Sequence, residues 1–126
     1  NQNNCISLLE DIEGAKKKIM RAVTDSGSEI EYDVAEKPAL SNLLTIYAML
    51  GNREVKRLVK DYKGKGYGDF KKDLAEVVAK FLDNFQKKYN SISDDDVALI
   101  LEAGREKLQK LTEEKMNVIR RAIGVR

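Results

Sequence analysis

Apolar residues recur every three or four positions in five stretches of this chain, with polar and charged residues between them. This spacing places the apolar side chains on one face of an α-helix. The stretches are residues 7–24, 39–50, 53–62, 70–89 and 94–123. The second is apolar around most of its circumference, so we expect it to be the most buried helix. The pattern predicts an all-α fold, a helical bundle of about five helices. Residues 29–34 instead alternate apolar and acidic residues, which predicts a short extended stretch.

Residues that favour helix ends separate these stretches. Pro38 precedes the second helix, and Gly51 follows it in the position of a C-terminal glycine. Asn52 and Asp69 are placed to cap the third and fourth helices. Ser93 and the three aspartates after it combine a hydroxyl cap with acidic residues near the positive end of the helix dipole. The sequence therefore predicts where most helices begin and end.

The composition limits the functions open to the chain. Its 126 residues suit one domain, and we predict a single helical domain over residues 1–126. The 23 basic and 21 acidic residues leave a net charge of +2, so any contact with nucleic acid would depend on local clusters of charge. No apolar run approaches the ~20 residues that span a membrane, and the first residues lack the pattern of a signal peptide.

Histidine and cysteine, two residue types that often perform chemistry, are absent or nearly absent. Histidine is absent, which removes the commonest general base and metal ligand. Cys5 is the single cysteine, so it cannot form an internal disulfide or anchor a zinc site. We therefore expect no catalytic, cofactor or metal site in this chain, and a cytoplasmic location.

Three glycines alternate with Lys65 and Tyr67 in the sequence GKGYG at residues 64–68. The spacing differs from that of a P-loop, which needs G-x-x-x-x-G-K followed by Ser or Thr. We interpret the stretch first as a turn between two helices, and second as a loop whose lysines hold a phosphate at the start of the fourth helix. Basic residues near the chain end form a further cluster. The candidate RNA-binding residues are Lys63, Lys65, Tyr67, Lys71, Lys72, Arg120 and Arg121.

The first helix also carries a basic cluster, formed by Lys16, Lys17, Lys18 and Arg21. These residues fall largely outside the apolar stripe, so the ordinary interpretation is a solvated helix face. The alternative is a contact with an RNA backbone, whose phosphates lysine and arginine neutralise.

Three long strings of residues carry more information than their helical pattern. They read KKKIMRAVTDSGSEIEYD, KPALSNLLTIYAMLG and YKGKGYGDFKKDLAEVV. In this order and spacing they resemble the C-terminal helical half of bacterial tryptophanyl-tRNA synthetase. The closing string EAGREKLQKLTEEKMNVIRRAIG resembles the last helix of that family. The resemblance covers nearly the whole chain.

The resemblance implies a class I aminoacyl-tRNA synthetase. The intact enzyme would activate tryptophan with ATP and magnesium, ligate it to tryptophan tRNA, and form a homodimer. In the family an upstream nucleotide-binding domain carries an H-I-G-H-like and a K-M-S-K-S signature, and neither occurs here. We therefore expect a fragment that lacks the catalytic domain, begins just after the K-M-S-K-S loop with Asn1 to Asn4, and is inactive alone.

Two functions remain open for the chain itself. One is the tRNA-recognition and hinge part of the synthetase, because this half of the family moves relative to the catalytic domain and contributes to recognition of the anticodon. The alternative is a helical protein-interaction module without an RNA role.

Overall fold

The computed structural model describes residues 5–25 and 27–124 of the chain. Its helices are α1 (Ile12–Arg21), α2 (Pro38–Leu50), α3 (Val55–Asp61), α4 (Tyr67–Asn90) and α5 (Asp94–Ala122). No strand occurs among the described residues. The prediction of an all-α fold with about five helices is confirmed. None of the described helices combines the length and the apolar content needed to cross a membrane.

The chain forms two compact units, which we call unit 1 (Asn1–Lys87) and unit 2 (Lys88–Arg126). Unit 1 contains the first three helices and most of α4, and unit 2 contains the end of α4 and all of α5. The assignment of residues 1–126 to a single domain stays a prediction. Asn1 to Asn4, expected at the exit of a catalytic loop, lie outside the described residues.

Unit 1 is built around one apolar core to which all four of its helices contribute. The largest fully buried side chains are Phe70, Leu40, Leu44, Leu58, Leu74 and Leu82. Truncating a buried leucine to alanine typically costs about 2–5 kcal/mol, because it removes apolar packing and leaves a cavity. This core provides the rigid support for the surface residues of unit 1.

α2 is the most buried helix relative to its length, as predicted. Six of its 13 residues are buried, against six of 24 in α4. Pro38 occupies its first turn, where the missing N–H costs nothing and the fixed φ angle already suits a helix. Gly51 follows its last residue, also as predicted. Both ends of α2 are therefore specified locally by the sequence.

α1 is shorter than the predicted 7–24. It begins after Asp11, whose carboxylate accepts a hydrogen bond of 2.8 Å from the backbone N–H of Gly14. Ala15 and Ile19 face the core, as their spacing predicted. Val23 shares that spacing but lies beyond the helix end and is exposed. The apolar periodicity continues past the point at which the helix stops.

Two predicted caps are wrong. Asn52 has a φ angle of 49° and belongs to the turn after α2, a conformation that asparagine tolerates better than most residues. Glu54 instead takes the N-cap position of α3, without a side-chain hydrogen bond. α4 begins at Tyr67, so Asp69 lies inside the helix, in its first turn. There its charge complements the helix dipole instead of capping the end.

The predicted extended stretch at residues 29–34 does not form a strand. Of its three alternating apolar residues, Ile30 is buried, whereas Tyr32 and Val34 are exposed. Asp33 then starts a turn, because its carboxylate accepts hydrogen bonds from the N–H groups of Ala35 at 2.9 Å and Glu36 at 3.0 Å. This turn leads directly into α2.

Ser93 caps the start of α5, in unit 2, as predicted. The Ser93 hydroxyl accepts from the N–H of Asp96 at 3.1 Å, and the Asp96 carboxylate accepts in return from the N–H of Ser93 at 3.1 Å. Two otherwise unpaired N–H groups are thus satisfied by one reciprocal pair. The helix ends before Gly124, which has a φ angle of 75°. None of its residues is buried, so the predicted apolar stripe of α5 lies exposed.

Candidate nucleic-acid interface

The glycine-rich stretch forms the turn between α3 and α4. Gly64 has a φ angle of +80°, which residues with a Cβ rarely adopt. The N–H of Lys65 donates to the carbonyl of Tyr62 at 2.9 Å and closes the turn. α4 starts immediately afterwards at Tyr67. The interpretation of this stretch as a turn between helices is confirmed.

Beneath the turn lies an aromatic cluster of Tyr47, Tyr62 and Phe70. The rings of Tyr62 and Phe70 meet edge to face, with centroids 5.3 Å apart. The Tyr62 hydroxyl donates to Oδ2 of Asp73 at 2.6 Å, so the Tyr47 hydroxyl, 3.2 Å away, is left to donate to Tyr62. Burial, and then the hydrogen bond to Asp73, raises the pKa of Tyr62 well above its usual value. Tyr62 therefore belongs to the core and offers no ring face for stacking a base.

Tyr67 joins α4 to the segment that follows α1. Its hydroxyl lies 2.7 Å from Oδ1 of Asp25 and 3.1 Å from the carbonyl oxygen of Glu29. A phenol has one proton to donate, and the shorter distance is to the charged acceptor. The ammonium group of Lys37 donates to the same Glu29 carbonyl at 2.9 Å and satisfies it independently.

The protonation states of Tyr67 and Asp25 support each other. The hydrogen bond from Tyr67, followed by that from the backbone N–H of Gly27, lowers the pKa of Asp25. Burial, followed by the hydrogen bond to Asp25, raises the pKa of Tyr67. Oδ2 of Asp25 is buried and has no hydrogen-bond partner among the described residues. The Tyr67 hydroxyl is therefore the principal donor to a partly satisfied carboxylate.

Lys71 makes a second connection, one helical turn after Tyr67. Its ammonium group donates to the carbonyl of Ala22 at 2.7 Å and lies 3.2 Å from the hydroxyl of Thr24. Tyr67 and Lys71 together hold the residues after α1 against the start of α4. We call this pair the α4 anchor. Its polar groups are engaged within the protein, which the sequence did not indicate.

The other predicted RNA-binding lysines of unit 1 do not take part in the α4 anchor. Lys63 is exposed in the turn. Lys65 is exposed too, and its ammonium group lies 4.9 Å from the centroid of the Tyr62 ring, a cation–π interaction worth about 0.5–1 kcal/mol at a surface. Lys72 is exposed beside a shallow groove between α1 and α4. The structure thus divides the predicted lysines into turn, anchor and groove positions.

Lys17 and Arg21 line the same groove as Lys72, an arrangement that the sequence did not predict. Lys16 also lines it and forms an ion pair of 2.8 Å with Glu76 on α4. Lys18 is directed away, towards the carboxylate of Glu10 at 2.8 Å. The only sequence signal is that the basic clusters of α1 and α4 both fall outside the apolar stripes of their helices.

Arg120 and Arg121 lie in unit 2, in the last turn of α5, and both are exposed. Cations at this end of a helix are favoured by the negative end of the helix dipole. Their assignment to RNA binding, like that of the lysines, stays a prediction. Among residues 5–25 and 27–124, no group of three Cys, Asp or Glu side chains is arranged to hold a metal ion.

Residues 1–83 match the sequence model of a family described as tRNA synthetases class I (W and Y). The chain belongs to this family. The matched region ends within unit 1 and includes α1, α2, α3, the glycine-rich turn and most of α4.

Curated relatives in this class I synthetase family share the sequence along almost its whole length. The chain is 43% identical over 123 residues to the tryptophan–tRNA ligase of Caldanaerobacter subterraneus subsp. tengcongensis, covering 98% of this chain. It is 40% identical over 126 residues to the tryptophan–tRNA ligase of Bacillus subtilis, covering 99% of this chain. The chain spans 38% of the length of each relative.

A solved structure shows the same fold. The crystal structure of tryptophanyl-tRNA synthetase from Mycoplasma pneumoniae matches 100% of this chain and 39% of its own, with a TM-score of 0.81 and 30% sequence identity. The resemblance of the residue strings to bacterial tryptophanyl-tRNA synthetase is therefore confirmed by sequence and by fold.

Proposed function

We propose that this chain is the tRNA-recognition and hinge part of a tryptophan–tRNA ligase, whose intact form activates tryptophan with ATP and ligates it to tryptophan tRNA. The observation that carries the proposal is the identity of 40–43% over 98–99% of this chain to enzymes of that name. A match of this extent includes the loops, which vary most readily when only the fold is retained.

The surface chemistry of unit 1 supports a role in RNA recognition. Anticodon bases are single-stranded and are recognised by stacking and hydrogen bonds beside groups that neutralise phosphates. Lys63 and Lys65 extend from a turn whose base is the buried Tyr62, so the turn has a rigid support. Lys17, Arg21 and Lys72 supply further exposed cations on the same unit.

The other parts of the reaction belong, in this proposal, to the rest of the ligase. ATP with magnesium and tryptophan bind to the domain that carries the two catalytic signatures in the family, and the intact enzyme acts as a homodimer in the cytoplasm. The chain alone should give no tryptophan-dependent exchange of pyrophosphate into ATP. Exchange above background, in a preparation shown to contain no other synthetase, would contradict this assignment.

Binding of the chain to matched RNAs tests the proposal. We expect tryptophan tRNA to bind more tightly than the same tRNA with a changed anticodon, measured by fluorescence anisotropy at low salt. Footprinting should then show protection concentrated in the anticodon loop. A chain that binds both tRNAs equally, or neither, would favour the alternative of a protein-interaction module. Circular dichroism of the same sample confirms that the chain is folded.

A further inference from the structure

The groove between α1 and α4 has an unusual distribution of charge. Four cations line it: Lys16, Lys17 and Arg21 from α1 and Lys72 from α4. Two acids, Glu13 and Glu76, line it as well. The groove lies wholly within unit 1, where the common core fixes both helices. Its charge therefore belongs to one rigid surface.

Both acids are engaged by the same lysine. The Lys16 ammonium group lies 2.8 Å from Glu76 and 3.5 Å from Glu13. The hydrogen bond to Glu76 is the main cause that raises the pKa of Lys16, so this lysine is charged and held in place. It joins the two walls of the groove, and its single positive charge offsets one of the two acidic charges there.

Because Glu13 and Glu76 both contact Lys16, the other three cations of the groove have no acidic partner in the described part of the chain. Glu13 stands four residues before Lys17, and Glu76 four residues after Lys72, which is the ordinary spacing of a helical ion pair. Neither pair forms, because both carboxylates are directed to Lys16. Lys17, Arg21 and Lys72 have no salt-bridge partner among the described residues and are not buried. Elsewhere, Lys87 and Arg105 do form helical ion pairs, with Asp83 and Glu102.

We propose that this groove binds the phosphodiester backbone of the tRNA, with Lys17, Arg21 and Lys72 each neutralising a phosphate. The inference rests on the proposed function and names the surface through which it acts. The groove is open and lined by cations on two sides, so it suits an extended chain of negative charges better than a single small anion. The planar guanidinium of Arg21 can bind a phosphate through two parallel hydrogen bonds. Met20 and Ala75 supply the apolar part of the groove's lining.

A pair of charge-matched triple variants tests the groove. The first combines Lys17→Gln, Arg21→Gln and Lys72→Gln. The control combines Lys56→Gln, Arg57→Gln and Lys60→Gln on α3. These three residues are exposed, and their substitution also removes three positive charges. Two RNAs serve as probes: tryptophan tRNA and an unstructured oligouridylate of about 12 nucleotides. Binding is measured by anisotropy between about 50 and about 200 mM salt, after circular dichroism has confirmed the fold of each variant.

The expected result follows from counterion release. Each phosphate contact with a single strand contributes about −0.7 to the slope of log affinity against log salt, so three contacts contribute about −2. Between the lower and the higher salt concentration, these three contacts should weaken RNA binding by the native chain and by the control about 20-fold. The groove variant should bind both RNAs more weakly than the native chain does at low salt, with a slope less steep by about 2.

Several outcomes would overturn the groove assignment. They are no binding of oligouridylate at low salt, equal slopes for the groove and control variants, and groove-dependent binding of anionic phospholipid vesicles in place of RNA. The proposed function fails by a different result. If tryptophan tRNA is not preferred over its changed-anticodon form while oligouridylate binding still depends on the groove, the groove stands and the tRNA-recognition role falls.

Discussion

The hydroxyl of Tyr67 lies 2.7 Å from a carboxylate oxygen of Asp25, a residue 42 positions earlier in the chain. One helical turn later, Lys71 donates to the carbonyl of Ala22. These two hydrogen bonds of the α4 anchor connect the start of α4 to the segment leaving α1. They occupy the hydroxyl of Tyr67 and the ammonium group of Lys71 within unit 1, while the assignment of both residues to RNA binding stays a prediction.

Replacing Tyr67 by phenylalanine should reduce stability by about 1 kcal/mol, since it removes one hydrogen bond and leaves a polar carboxylate without its main donor. For a chain of this size the midpoint of thermal unfolding should fall by roughly 3–5 °C. Tyr32→Phe is the matched control, because Tyr32 is exposed. Urea unfolding of both variants measures the difference. Equal stability would show that the hydrogen bond to Asp25 contributes nothing net.

Asp25→Asn should change how stability depends on pH. The hydrogen bond from Tyr67 lowers the pKa of Asp25 below its usual 3.8, and nearby Lys37 acts in the same direction. A lowered native pKa stabilises the fold above the unfolded pKa, and this contribution disappears as pH falls through the native value. Asparagine still accepts the phenol hydrogen but does not titrate. The variant should therefore be less stable than the native chain at neutral pH, and its stability should decrease less below about pH 4.

Urea midpoints measured from about pH 7 down to about pH 2.5 test this difference in slope. Glu114→Gln, an exposed change on α5, serves as the control and should follow the native curve. Parallel acid curves for Asp25→Asn and the native chain would rule out the linkage. Glu10, Asp33 and Asp96, whose pKa values are also lowered by hydrogen bonds, contribute to the acid sensitivity that remains in the variant.

The glycine-rich turn should tolerate alanine at one position and resist it at another. Gly64→Ala places a Cβ on a backbone with a φ angle of +80°, which costs about 1–2 kcal/mol although the space around it is open. Gly66 has open space and no such angle, so Gly66→Ala should be neutral or slightly stabilising through the unfolded chain. Urea unfolding of the two variants decides the matter. If both are neutral, the turn changes conformation at little cost.

Ser93→Ala should destabilise the start of α5 by about 1 kcal/mol, because the N–H of Asp96 loses its acceptor. Amide hydrogen exchange in the first turn of α5 should accelerate, while exchange in α2 stays unchanged. Ser91→Ala provides a control two residues earlier, where the hydroxyl donates to the carbonyl of Lys88 and accepts nothing from a helix N–H. Equal acceleration in both variants would assign the effect to the loop and not to the cap.

Some of the signals confined to a few neighbouring residues predict the structure correctly. Pro38 and Gly51 bound α2, and Ser93 with Asp96 begins α5, because each signal acts within one helical turn. Two other local signals fail, since Asn52 does not cap α3 and Asp69 does not cap α4. α4 begins two residues earlier, at Tyr67, whose hydroxyl bonds to Asp25 far away in the chain. A partner at that distance leaves no mark on the local pattern.

The candidate site is predictable in residue type but not in arrangement. The lysines of α1 and α4 are recognisable as two basic clusters, yet nothing in the sequence indicates that Lys16 takes both Glu13 and Glu76. The periodicity of α5 likewise predicts an apolar face without indicating its partner, and that face is exposed. Charge and amphipathicity are local properties, whereas the pairing of side chains depends on how helices pack.

Two charge-matched double variants can locate the predicted RNA-binding residues outside the groove. The first combines Lys63→Gln and Lys65→Gln in the turn of unit 1, and the second combines Arg120→Gln and Arg121→Gln in unit 2. Lys71 is left unchanged, because its ammonium group holds the segment after α1. Each variant removes two positive charges, so differences between them report position and not net charge.

If the turn lysines bind phosphates, the first double variant should make the salt dependence of tryptophan tRNA binding less steep by about 1.4, at roughly 0.7 for each phosphate that is no longer neutralised. If Arg120 and Arg121 make no phosphate contact, the arginine variant should behave like the native chain. Tyr67→Phe keeps the aromatic ring, so any stacking contribution of about 1–3 kcal/mol should survive in it, whereas Tyr67→Ala would remove the ring as well as the hydrogen bond to Asp25. A salt slope changed only by the arginine variant would transfer the phosphate binding to unit 2. It would leave the glycine-rich stretch as a turn alone.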